Sequence, residues 1–317
     1  MTSKNNNANK HKLSSIKELR KICQNPYMDP EGPLSEAFSR KTYYKISIYF
    51  TWLLLHTNIT PNQVTLLSLL VGVAGCIMLS IPGYYPILGV FLLQIWFILD
   101  IVDGEIARYR NTCSLTGAFF DRLNTAIIEA GMISSLSYKV YLTFNDARCF
   151  IFGFFALISI LLLKIIFSYL HVAALEPILH RKHAEMFKKY KEINLWKIRL
   201  LHDYLSSKPS SNFIRIAELL IGHGLYISMY IAVAIDSVLN YSFSVLFFKL
   251  NLSYLYLLSV GVILPFALIF LITYLIRNNA PEGMYFEILK NFRARRTDAL
   301  DYNRQGEDGT KARLPSS

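Results

Sequence analysis

Residues 62–81 read NQVTLLSLLVGVAGCIMLSI, twenty positions without a charge. The hydrocarbon core of a bilayer takes about 20 apolar residues per helix, so this run predicts a membrane span. Working outward on the same scale, residues 86–99 are apolar but only 14 long and continue directly into an acidic stretch. Residues 118–142 are apolar after their first turns, and 149–170 carry one charge, Lys164. Residues 213–239 hold Arg215 and Glu218 near their start and Asp236 near their end, while 252–276 are uncharged. The expected fold is therefore all-α and integral to the membrane, with six transmembrane helices. Residues 34–57 are charged at first and aromatic later, which predicts an amphipathic interfacial helix preceding the spans. Three regions follow: a polar, basic segment 1–33, a membrane domain 34–276, and a charged tail 277–317.

Composition agrees. Apolar and aromatic residues make up 53% of the 317 positions and charged residues 17%, against about 25% charged in average soluble domains. A disordered chain, a soluble enzyme and a disulfide scaffold are all poor fits. Cys23, Cys76, Cys113 and Cys149 form no CxxC pair and are expected to be reduced.

The basic residues orient the spans. Residues 1–45 hold nine Lys/Arg, 171–212 hold eight, and the stretch after Ile276 holds eight. The opposite connections hold almost none. The positive-inside rule then places both termini in the cytoplasm of a multi-pass protein; residues 1–33 lack the features of a cleaved signal peptide, and a short, unprocessed chain suits a bacterial inner membrane. The net charge of +11 suits anionic lipid at the inner leaflet and calls for no nucleic acid.

The chemistry concentrates at the end of the second run: Asp100-Ile-Val-Asp103-Gly104-Glu-Ile-Ala107-Arg108, then Gly117 and Asp121. Helical steps of three and four bring Asp100, Asp103, Gly104, Ala107 and Arg108 onto one stripe, and Gly117, Asp121, Thr125 and, with drift, Glu129 onto another. Three carboxylates thereby converge near the cytoplasmic edge. Charge at that depth needs a partner, and hard oxygen donors of this kind suit Mg²⁺ or Mn²⁺. The small residues admit a ligand to the backbone, and Arg108 can fork onto phosphate oxygens.

The spacing D-x2-D-G-x2-A-R-x8-G-x3-D resembles the signature of the CDP-alcohol phosphatidyltransferase family, and Pro61-Asn62-Gln63-Val64-Thr65 resembles that family's opening of the first span. The resemblance implies transfer of a phosphatidyl or substituted phosphoryl group from a CDP-activated donor to an alcohol acceptor, with release of CMP, by a membrane-lipid enzyme that forms a homodimer. It implies that Asp100, Asp103 and Asp121 bind Mg²⁺ or Mn²⁺. It assigns Asn62, Thr65, Gly104, Ala107, Arg108 and Gly117 to the CDP site.

The chain departs from the signature at one position. The family carries a fourth aspartate, usually the base toward the acceptor hydroxyl, where this chain has Thr125. A threonine hydroxyl is not a base near neutral pH. Three readings stand: Glu129 or no side chain serves as the base; the acceptor or its own phosphate does; or the chain binds CDP or lipid without turnover. Lys164 and Arg215 are candidates for the acceptor's phosphate or headgroup, with lipid-facing or ion-paired roles as the alternative. A small transporter is the rival from another class, but it would spread its polar residues across the bilayer.

Overall fold

A computed structural model describes residues 15–24, 42–180, 223–239, 243–245, 248–277 and 279. In chain order the elements are α1 (Ile16–Cys23), α2 (Tyr43–Leu55), α3 (Pro61–Ser80), α4 (Tyr85–Tyr109), α5 (Leu115–Phe144), α6 (Arg148–His180), α7 (His223–Leu239), β1 (Phe243–Val245), β2 (Phe248–Leu250) and α8 (Leu252–Arg277). Among the described residues, four helices are long and apolar enough to cross a membrane: α3, α4, the Arg148–Ile166 part of α6, and α8. They indicate a membrane protein. α5 is 30 residues long but interrupts its apolar surface with Glu129, Lys139 and several hydroxyls. The described part of α7 is 17 residues, and positions 213–222 of its expected span lie outside the described residues.

Local chemistry sets the helix ends. Thr60 and Gln63 form a reciprocal capping box ahead of α3, whose first residue is Pro61, so the pyrrolidine occupies a position that needs no amide donor. Ser114 caps α5 by accepting from the Gly117 amide at 3.0 Å. At its other end Asn145 takes a left-handed conformation with φ 52°, where a short polar side chain tolerates what most residues do not. Arg110 donates to the carbonyls of Ile59 and, at 2.8 Å, Thr57. It thereby ties the connection before α3 to the one before α5.

The second apolar run and the acidic stretch after it are one uninterrupted helix, α4. The run looked too short alone because its final three turns carry the site. α3 lies along α4 at very close range: a Cβ built on Gly89 would stand 2.6 Å from the Leu79 amide nitrogen. Only glycine permits that approach, a common device where helices pack within lipid.

α2 exposes Ile46, Tyr49, Phe50, Trp52 and Leu53 together with Lys45, and buries Ser47 and Thr51 beside Ile48 and Leu55. An apolar outer face suits lipid rather than water. Two features were not anticipated: α1 inside the polar segment 1–33, and the antiparallel hairpin β1–β2, which pairs Phe243 with Leu250 in the connection before α8.

The chain divides into two compact units, Met1–Leu161 with Arg215–Ala267, and Leu162–Ile214 with Leu268–Ser317. In the first unit, one apolar cluster joins Leu79, Leu93, Trp96, Ile128, Met132 and Leu257. A second joins Leu19, Cys23, Ile48, Val64, Val102 and Ile106 beside the acidic turns. The described residues of the second unit are the ends of α6 and α8 and Asn279.

Candidate active site

The last turns of α4 and the first turns of α5 form the site, because the short connection between them returns the chain antiparallel. The carboxyl groups of Asp100 and Asp121 come within hydrogen-bonding reach of each other, and Asp103 and Glu129 are near enough to act on Asp100 electrostatically. Asp103 is 6% exposed and accepts from the Thr65 hydroxyl at 2.5 Å. Thr65 and Asp103, expected in one site from separate helices, therefore meet. Asn62 and Gly117 also meet: a Cβ on Gly117 would lie 3.4 Å from Asn62 Oδ1. Ala107 is half-buried on the same turns.

Carboxylates gathered at low dielectric repel unless a proton or a cation lies among them. The donor chemistry, all carboxylate and hydroxyl oxygen, fits a hard divalent ion. As placed, no three or more His, Cys, Asp or Glu side chains among the described residues form a group that could hold a metal ion. What stands in place is the Asp100–Asp121 pair with Asp103 beside it.

Asn124 organises that pair. It is 2% exposed, and its Nδ2 donates to Ser68 Oγ at 2.8 Å and to Asp100 Oδ1 at 3.2 Å. Its Oδ1 accepts from Trp96 Nε1 at 3.3 Å. The signal in the sequence that could have found Asn124 is an amide inside a mostly apolar helix. Thr125 has a different attachment. Its hydroxyl donates to the Asp121 carbonyl at 3.0 Å, the backbone bond one turn back that serine and threonine commonly make in helices. Glu129 is buried, and the Tyr226 hydroxyl hydrogen-bonds to it.

Arg108 and Gly104 differ from the simple picture of a phosphate fork over an open backbone. The Arg108 guanidinium folds back over its own helix, with Nη1 3.1 Å from where a Gly104 Cβ would stand. Its Nε donates to the Cys23 carbonyl at 2.7 Å. Burial, aided by the Glu105 charge and opposed by Arg108, pushes the Cys23 thiol up to about 11. Lys164 is half-buried on α6 in the second unit. Arg215 lies outside the described residues.

The signature and both helices that carry it fall within residues 58–202, which match the CDP-alcohol phosphatidyltransferase family. Two relatives are named bifunctional IPC transferase and DIPP synthase. The one from Aquifex aeolicus is 33% identical over 107 residues, covering 34% of this chain and 23% of the relative. The one from Thermococcus kodakarensis is 30% identical over 131 residues, covering 41% and 27%. Cholinephosphotransferase 1 of Homo sapiens is 33% identical over 101 residues, 27% of this chain and 25% of that protein. The chain thus spans about a quarter of the length of these curated relatives. All three are transferases by name.

Proposed function

We propose that this protein transfers a phosphatidyl or substituted phosphoryl group from a CDP-alcohol to an alcohol acceptor and releases CMP. The observation that carries the reading is the meeting of Asp100 and Asp121 from two helices, inside the segment that matches the family. In this reading the acceptor oxygen bonds to the donor's β-phosphorus. The bridging oxygen leaves with CMP, and the acceptor's proton passes to a base.

Asp100, Asp103 and Asp121 would hold Mg²⁺ or Mn²⁺, which when bound neutralises the pyrophosphate and lowers the acceptor hydroxyl's pKa. Asn124 keeps Asp100 turned toward Asp121, and the Thr65 hydroxyl holds Asp103. Asn62, Gly104, Ala107, Arg108 and Gly117 line the donor's side, while Lys164 and Arg215 serve the acceptor. Glu129 is the carboxylate of α5 left to take the proton, since Thr125 has no basic atom. Six spans, an interfacial α2, cytoplasmic termini and a homodimer complete the proposal.

Incubating the purified protein with radiolabelled CDP-diacylglycerol, Mn²⁺ and a panel of alcohols should release CMP. Asp100→Asn and Asp121→Asn should each cut that release by roughly a hundredfold or more, as removal of a charge-stabilising group does. Absence of both CMP release and CDP binding by the wild type would sink the reading.

The attachment of Thr125 to backbone supports a second reading, a silent CDP or lipid binder. Thr125→Asp separates the two. A large gain in turnover at unchanged CDP affinity favours silence in the native chain, and a native turnover equal to the variant's rejects it.

A further inference from the structure

Glu105 lies between Gly104 and Arg108 in the sequence but takes no part in the acidic cluster. It is completely buried. Its Oε1 accepts from Gln24 Nε2 at 2.7 Å and Ser47 Oγ at 2.8 Å, and its Oε2 accepts from Thr51 Oγ1 at 2.5 Å. Gln24, also fully buried, donates to the Tyr44 carbonyl at 2.6 Å as well. One carboxylate of α4 therefore fastens both α1, through the residue that ends it, and α2. Three residues further along α4, Arg108 Nε grips the Cys23 carbonyl of the same α1 end. Leu19 and Cys23 pack with Ile48, Val102 and Ile106 beneath these bonds.

Apolar residues would dock α1 at less cost, because a buried carboxylate must have every lone pair answered. What a polar network adds is a narrower choice of geometry; here both Glu105 oxygens are bonded while Gln24 Oε1 is left without a partner. Here that geometry reaches the guanidinium assigned to the donor's phosphates. We propose that α1 is a built-in part of the donor site, and that Gln24 and Glu105 are positioning residues that act through Arg108. This rests on the functional reading above. Loosening the clasp lets Arg108 leave its orientation, so affinity for the CDP moiety falls while the reacting carboxylates stay in place.

The test uses the full chain in detergent or nanodiscs, with CDP binding by calorimetry, donor KM and kcat, and melting temperature. Gln24→Leu and Glu105→Gln should each weaken CDP binding and raise donor KM by about tenfold, the scale of one coupling energy within a buried network, with kcat little changed. The exchange Gln24→Glu with Glu105→Gln restores an amide–carboxylate pair in the reverse sense and should recover most of the affinity. Folded single variants that bind CDP as tightly as wild type would overturn the proposal. So would an affinity loss that tracks melting temperature and is not rescued by the exchange. A wild type that binds no CDP fails the functional reading instead, which keeps the two failures apart.

Discussion

Asn124 holds three partners at once: Trp96 and Ser68 are buried with it, and Asp100 is half-buried. Asn124→Leu removes the amide that orients Asp100 and leaves Trp96 Nε1 and Ser68 Oγ without it. Losing a hydrogen bond to a charged group costs about 1.5–3 kcal/mol, so turnover should fall by roughly tenfold to a hundredfold. CDP affinity should change less, since Asn124 faces Asp100 rather than Arg108. CMP-release kinetics beside CDP calorimetry would check the split. At this scale the sequence showed which residue types matter but not all of their partners. Thr125 read as a vacancy in the signature, yet its hydroxyl has a fixed bond to its own helix. Glu105 read as an unassigned charge, because nothing local says that its three donors come from two other helices.

Helix ends and helix contacts respond to different substitutions. Gly89→Ala would push a methyl into the α3 backbone at Leu79, and overpacking of this kind costs about 1–3 kcal/mol. The variant should melt lower and lose activity through α4, which carries the signature one helix length away; thermal unfolding in detergent would measure it. Between α5 and α6, Asp146 accepts from Arg148 Nε at 2.8 Å and from the Tyr254 hydroxyl at 2.6 Å. Arg148, the larger influence, and Tyr254 hold its carboxyl down at about 2. A folded value below the unfolded one, about 3.9, contributes stability that is fully present above the unfolded value. That stability is lost as pH falls through about 2. Asp146→Asn should therefore lower the melting temperature at pH 7 but leave it nearly unchanged relative to wild type near pH 2. Element positions were legible from composition: runs expected at 118–142, 149–170 and 252–276 appear as Leu115–Phe144, Arg148–His180 and Leu252–Arg277. Their ends moved by a few residues or more because caps such as Ser114 and polar first turns extend a helix past its apolar run.

At the scale of the molecule, one cysteine can report the orientation. Cys23, Cys76 and Cys149 are buried, and Cys113 is exposed in the connection between α4 and α5. The Cys23 thiol, held near 11, stays protonated and unreactive at neutral pH. An impermeant maleimide should label Cys113 alone, and only from the face that the basic segments share. Labelling from the opposite face of intact vesicles would reverse the proposed topology.

The sequence by itself determined that the chain is a membrane protein, where its long apolar helices run, and which acidic residues share a helical stripe. Those properties depend on the length of apolar runs and on helical periodicity, and both are local. Only the tertiary structure decided what the polar residues of those helices hold. Gln24 and Glu105 lie 81 positions apart, and Cys23 and Arg108 lie 85 apart. A side chain buried away from water must be satisfied by whatever packing delivers to it, and packing joins segments that no spacing rule connects.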